Sequence, residues 1–170
     1  PVIFTPFYVR KEEDIMGEHM FEKDLSLQEI IETNVDFVNW LTSLSLQIKL
    51  ARYIESLPNA FYRLHTDSFP PYMNSTVKIN LIFSSYDSEM IWYKLKPGHS
   101  AVYGKNNLNM TMKYYLLKDV DEVYRHSADS HCLLDTYHIH TVKNKENNQV
   151  NRQCYTFVID YNYFTTEHLN

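Results

Sequence analysis

His65 and Asp67 stand two positions apart in residues 61–67, FYRLHTD. Read as a β-strand, this segment turns Arg63, His65 and Asp67 to one face, with Tyr62, Leu64 and Thr66 on the other. An imidazole and a carboxylate so placed can grip one metal ion from adjacent directions and leave its far side open. That is two thirds of a 2-His-1-carboxylate facial triad, the ligand set of non-haem Fe(II) sites that handle oxygen. Alone, the pair also reads as a salt-bridged His and Asp at the end of a surface strand.

Residues 132–161 supply the missing parts. A strand-like run delivers His138 and His140 on one face, a polar loop follows, and Arg152 opens another strand twelve positions after His140. The spacing fits a hairpin in which histidine and arginine lie on adjacent antiparallel strands and point into one barrel. An Fe(II) site that uses 2-oxoglutarate needs such a cation, because the keto acid chelates the metal at one end and its distal carboxylate must be held. Arginine's planar fork holds it through paired, charge-assisted hydrogen bonds. His138 faces the same way as His140 and is the alternative ligand.

With these residues the sequence resembles the Fe(II)/2-oxoglutarate-dependent dioxygenases, whose signature is His-x-Asp, a distal His and an Arg shortly beyond it. It is most similar to small members from phages and marine bacteria and to the aspartyl/asparaginyl β-hydroxylase-like branch. The likeness rests on LHTDS at 64–68, KINLIF at 78–83, WY at 92–93, LLDT at 133–136 and HTVKN at 140–144 with Arg152, and covers roughly residues 60–161. The resemblance implies Fe(II) held by His65, Asp67 and His140, with 2-oxoglutarate anchored by Arg152. The reaction it implies hydroxylates an unactivated C–H bond of a peptide side chain or small metabolite, consuming O2 and releasing succinate and CO2.

Asn80 matches an asparagine of the resembling segment and is a candidate contact for the keto acid, or else a buried Asn satisfied by its neighbours. Tyr93 is a candidate of the same kind, or core. Where many relatives carry a serine two residues after the arginine, this chain has Cys154, a poorer donor. A rival reading uses the same barrel as a cupin-like metal site for Zn or Ni, with His65, His138, His140 and Glu146. That site would serve a hydrolase, an isomerase or a non-catalytic binding module, and it leaves Arg152 without a task.

The rest of the chain bounds these readings. A net charge of −5 with no basic stripe argues against a nucleic-acid partner. Cys132 and Cys154 show no disulfide pattern, which leads us to expect a reducing cytoplasm. No apolar run approaches the ~18 residues of a membrane span, and the first residues lack a signal peptide's basic flank. Fourteen Tyr and nine Phe against three Gly favour broad sheets and exclude a phosphate-cradling glycine loop.

The elements that must position the site follow from periodicity. We expect an edge strand at 2–9 and an irregular charged stretch at 11–24. A helix is expected from Ser26, where Ser26 and Glu29 form a capping box. Val35, Val38, Leu41 and Leu44 make a stripe to pack on the outside of a sheet. Residues 44–50 alternate and leave helix end and strand undecided. The prolines at 70 and 71 make a loop. Strands are expected at 76–83, 91–95, 99–103, 110–117, 133–142 and 152–161, with 118–131 a short helix or loop carrying solvated His126 and His131. The expected whole is one domain over 1–170, mainly β. Its architecture is a double-stranded β-helix, or jelly roll, with a core barrel over about 45–161 and one or two N-terminal helices outside.

Overall fold

A computed structural model describes residues 20–58, 60, 62–67, 77–84, 87–105, 111–144 and 150–159. The strand expected at 2–9, the proline loop and Glu146 lie outside them.

The strands form two antiparallel sheets. They are β1 (Met20–Leu25), β2 (Ile48–Ser56), β3 (His65–Thr66), β4 (Val77–Ser84), β5 (Ser88–Leu95), β6 (Val102–Lys105), β7 (Thr111–Tyr114), β8 (Val120–Ser127), β9 (Cys132–Asp135), β10 (Ile139–Asn144) and β11 (Arg152–Ile159). One sheet has the order β1-β2-β11-β4-β9 and the other β6-β7-β3-β10-β5-β8. From β2 to β5, and again from β9 to β11, successive strands alternate between the sheets, so the chain winds around a common interior as a jelly roll.

Two short helices cover the outer face of the five-stranded sheet. The capping box opens α1 (Leu27–Thr33) as expected. The Ser26 hydroxyl accepts from the Glu29 amide at 3.2 Å, and the Ser26 amide donates back to Glu29 Oε2 at 2.9 Å. Asn34, at φ −140°, breaks the helix before α2 (Val35–Ser43), and Ser45 at φ 57° ends the helical run. The stripe does lie against a sheet, but its register differs from expectation. Phe37 and Leu41 are buried, Val38 and Leu44 are partly buried, and Val35 is 52% exposed. Phe37 takes the place that spacing assigned to Val35, because its ring reaches Phe157 with centroids 4.9 Å apart.

Alternation then divides each central strand between two environments. Ala51, Tyr53, Leu81, Tyr155, Phe157 and Ile159 pack outward against the helices. Leu50, Arg52, Ile54, Lys78, Asn80, Arg152, Thr156 and Val158 face an interior cavity. The sequence 44–50 resolves as a helix end followed by a strand that runs on to Ser56.

Four expectations are corrected. Residues 20–24 belong to β1, which pairs with β2 from Met20↔Ser56 to Leu25↔Ala51. Residues 120–127, expected as helix or loop, form β8; exposed along nearly its whole length and, among the described residues, paired only to β5, it shows no buried face to reveal it. The single strand expected at 133–142 is two strands in different sheets, broken at residues 136–138. The strand at the His-x-Asp segment is only His65–Thr66.

Candidate metal centre

β3 and β10 pair so that His65 and His140 are register partners, with ring centroids 4.5 Å apart. Asp67 follows β3 and is held there by its amide, which donates to Thr136 O at 3.1 Å. The two imidazoles and the carboxylate are all buried, and their ligand atoms lie within 4.8 Å of one another. Asp67 Oδ1 is 3.4 Å from His65 Nε2, and Asp67 Oδ2 is 3.6 Å from His140 Nε2.

The hydrogen bonds behind the rings fix what these atoms can do. His65 Nδ1 lies 2.7 Å from Arg63 O, and His140 Nδ1 lies 2.8 Å from His138 O. A carbonyl only accepts, so each Nδ1 carries the proton, and in a neutral ring Nε2 presents a lone pair to Asp67. Burial and the neighbouring His65 push the His140 pKa down to about 4, so that ring is neutral near pH 7. Burial works most strongly against the Asp67 charge, but the Lys78 ammonium and the two neighbouring histidines, His65 and His140, together outweigh it and hold the carboxyl well below its ordinary range. With both rings neutral, two lone pairs and an ionised carboxylate converge on one buried spot. That donor set fits a divalent metal, with outer hydrogen bonds of the kind that orient histidine ligands.

Lys78 also meets the site. Its Nζ forms an ion pair with Asp67 Oδ2 at 2.6 Å. The sequence reading missed it, although it stands two residues before Asn80 on the same face of β4 and alternation alone would have found it.

Arg152 lines the same cavity, of about 90 Å³, from the opposite sheet. It is 3% exposed, its Nε has no hydrogen-bond partner, and no carboxylate among the described residues pairs with it. The expected hairpin between His140 and Arg152 is corrected. β10 and β11 lie in different sheets, so the two side chains meet across the barrel rather than along a ladder.

Asn80 lines the cavity too and accepts from the Thr156 hydroxyl at 2.9 Å, so its Oδ1 is satisfied within the wall. Cys154 is fully buried beside Thr156. Tyr93 does not reach the cavity: it lies on the other face of β5, packed with Leu64, Ile91, Val120 and Ile139. His138 lies outside β10, exposed and paired with Asp135 at 3.1 Å, so the set of His65, His138 and His140 is not assembled. Arg63, expected on the metal-facing side, is instead exposed over the Tyr114 ring, because β3 is too short to impose alternation that far back.

No protein-family model matches the chain, and no curated protein sequence does. Among solved structures it is similar to an oxidoreductase of the 2OG-Fe(II) oxygenase family from Burkholderia pseudomallei, at 10% identity, covering 84% of this chain and 68% of that one, with a TM-score of 0.49. It is similar to a cupin superfamily protein from Desulfitobacterium hafniense at 5% identity, covering 94% and 97% of the two chains with a TM-score of 0.37. It also matches the vicilin of hazelnut, Corylus avellana, at 12% identity with a TM-score of 0.42, covering 86% of this chain and 31% of the vicilin. The chain thus spans about a third of that vicilin's length. Likenesses this distant carry nothing about chemistry, and the reading of the site rests on its own geometry.

Proposed function

We propose that the protein is an Fe(II)- and 2-oxoglutarate-dependent dioxygenase that hydroxylates a C–H bond of a small substrate. The observation that carries this reading is the pairing, across one cavity, of a metal-ready His65, Asp67 and His140 set with Arg152, a buried guanidinium that has no anionic partner among the described residues. A buried cation without a counter-ion is costly, and a dicarboxylate bound to the metal at one end supplies that counter-ion at the other. When bound there, iron would supply the chemistry that couples oxidative decarboxylation of 2-oxoglutarate by O2, giving succinate and CO2, to insertion of the second oxygen atom into the substrate C–H bond. The chain's own residues bind and orient. His65 and His140 would hold the metal with their Nε2 atoms, Asp67 would supply its negative ligand, and Arg152 would fix the distal carboxylate. Asn80 and Thr156 form the wall between.

Anaerobic titration with Fe(II) and then 2-oxoglutarate tests this. We expect a weak visible charge-transfer band in the wild type, none in Asp67→Ala, and a large rise in the 2-oxoglutarate needed in Arg152→Ala. Absence of the band at every concentration sinks the reading.

One observation favours a second reading, a metal-binding or non-catalytic module of the same barrel. The Lys78 ammonium already lies 2.6 Å from Asp67 Oδ2, so the carboxylate's charge is balanced without a metal, although that oxygen has no hydrogen-bond partner. Tight Zn or Ni binding without the Fe(II) band would support it.

A further inference from the structure

A second charged group lines the cavity wall, made of Glu22, Arg52 and Tyr62. Arg52 is clamped from one side: its Nε donates to Asp24 Oδ1 at 2.6 Å, and Asp24 is half exposed. Its Nη1 reaches Glu22 Oε2 only at 3.4 Å, and its Nη2 is buried with no hydrogen-bond partner. Glu22 is 4% exposed, and its other oxygen accepts from the Tyr62 hydroxyl at 3.0 Å. Burial opposes the guanidinium's charge, but Asp24 and Glu22 outweigh it, so Arg52 stays cationic. Burial and Glu22 raise the Tyr62 phenol well above its usual range, so it stays a donor.

A purely structural ion pair between adjacent strands would close Arg52 onto Glu22 with short, paired bonds. Here the guanidinium's Nε edge is fixed and the remainder is under-used, while a buried carboxylate beside it keeps acceptor capacity. The Tyr62 ring lies 4.6 Å from that of His65, so this corner adjoins the metal-ready set. Much of the remaining lining is aliphatic or thioether, including Leu50, Ile54, Met90, Met112, Leu134 and Val142.

We propose that this corner anchors the primary substrate, and that the substrate is a small α-amino acid with an aliphatic side chain, its carboxylate on Arg52 and its ammonium on Glu22. Calling it the primary substrate rests on the dioxygenase reading; the binding itself does not. A cation and an anion side by side select a zwitterion, because a ligand lacking either charge leaves a buried group uncompensated. The apolar lining favours a side chain without charge.

The test is calorimetric or NMR titration of the metal-free protein with L-leucine, L-valine and L-methionine. Two truncated probes accompany them: 4-methylpentanoate, which lacks the amine of leucine, and 3-methylbutylamine, which lacks its carboxylate. We expect saturable binding of at least one amino acid, and for leucine a loss of tenfold or more with either truncation. Arg52→Gln should weaken leucine and 4-methylpentanoate but not 3-methylbutylamine, and Glu22→Gln should weaken leucine and 3-methylbutylamine but not 4-methylpentanoate. Arg52→Lys, which keeps the charge, should retain part of the leucine affinity and guards against a misfolded Arg52→Gln. Binding of none of the three amino acids, or equal losses for both truncated probes in each variant, overturns the proposal. Leucine binding with this crossed pattern but no Fe(II) band leaves the corner standing and removes the dioxygenase reading. The band without the pattern does the opposite.

Discussion

His65 and His140 stand opposite each other in the β3–β10 pair, and each donates its Nδ1 proton to the carbonyl of the residue two positions before it, Arg63 and His138. The same backbone device used twice sets both Nε2 atoms toward Asp67. His138 therefore serves the site through its carbonyl, while its own ring is exposed and paired with Asp135.

That arrangement separates the two neighbouring histidines by experiment. We expect His140→Ala to weaken Co(II) or Mn(II) binding by more than the ~10–100-fold usual for an outer-shell residue, and His138→Ala to leave it within about twofold. Equilibrium dialysis reads both. Equal losses would contradict the assignment of His140.

The metal-free protein should lose stability in mild acid. His140 has a pKa of about 4 in the folded protein and an ordinary value of 6.5, so between these the unfolded chain binds more protons. The contribution of its neutral burial is complete above 6.5 and lost as pH falls toward 4, by at most about 3 kcal/mol. Asp67, lowered as well, adds a loss in the same direction below its ordinary value of 3.8. Urea unfolding in a chelator at pH 7.5 and at pH 5 should show the drop in wild type, and His140→Phe should flatten the upper part of it.

Lys78 and the proposed metal would compete for the same carboxylate. Lys78→Met should destabilise the metal-free protein by about 3 kcal/mol, because Asp67 is left buried without its cation. Divalent-metal affinity should rise at least roughly tenfold, since like-charge repulsion at close range is removed. If affinity falls instead, Lys78 acts by orienting Asp67.

Asn144 ties the two sheets together. It is fully buried; its Nδ2 donates to Ser56 O and Leu57 O at 3.1 and 3.0 Å, and its Oδ1 accepts from the Ser88 hydroxyl at 3.3 Å. Asn144→Ala should cost roughly 2–4 kcal/mol in urea unfolding, as orphaned buried carbonyls add to the lost bonds.

The helical stripe gives a contrast at two positions. Leu41→Ala should cost roughly 2–5 kcal/mol and Val35→Ala within about 0.5, because Leu41 is 1% exposed and Val35 52%. Similar losses at both positions in thermal melts would return the stripe to the spacing expected from sequence.

What was legible in the sequence depended on short-range rules. The Ser26–Glu29 capping box is settled within four residues, and the strands at 77–84 and 152–159 announce themselves by alternation, since one face of each must meet the helices. The His-x-Asp pair, the distal His140 and Arg152 could be singled out because their residue types are costly to bury without a task.

Tertiary structure decided which of these residues meet. β8 carries charge on an edge strand that buries almost nothing, so it leaves no periodic trace. The break at 136–138 sends β9 and β10 into different sheets, which turns His138 to solvent and moves Arg152 from His140's neighbour to its opposite wall. Lys78, Glu22 and Arg52 look like ordinary surface charges in a strand sequence. Only closure of the two sheets over a common interior makes them cavity residues, because the face of a strand that is buried is fixed by its partners and not by its own composition.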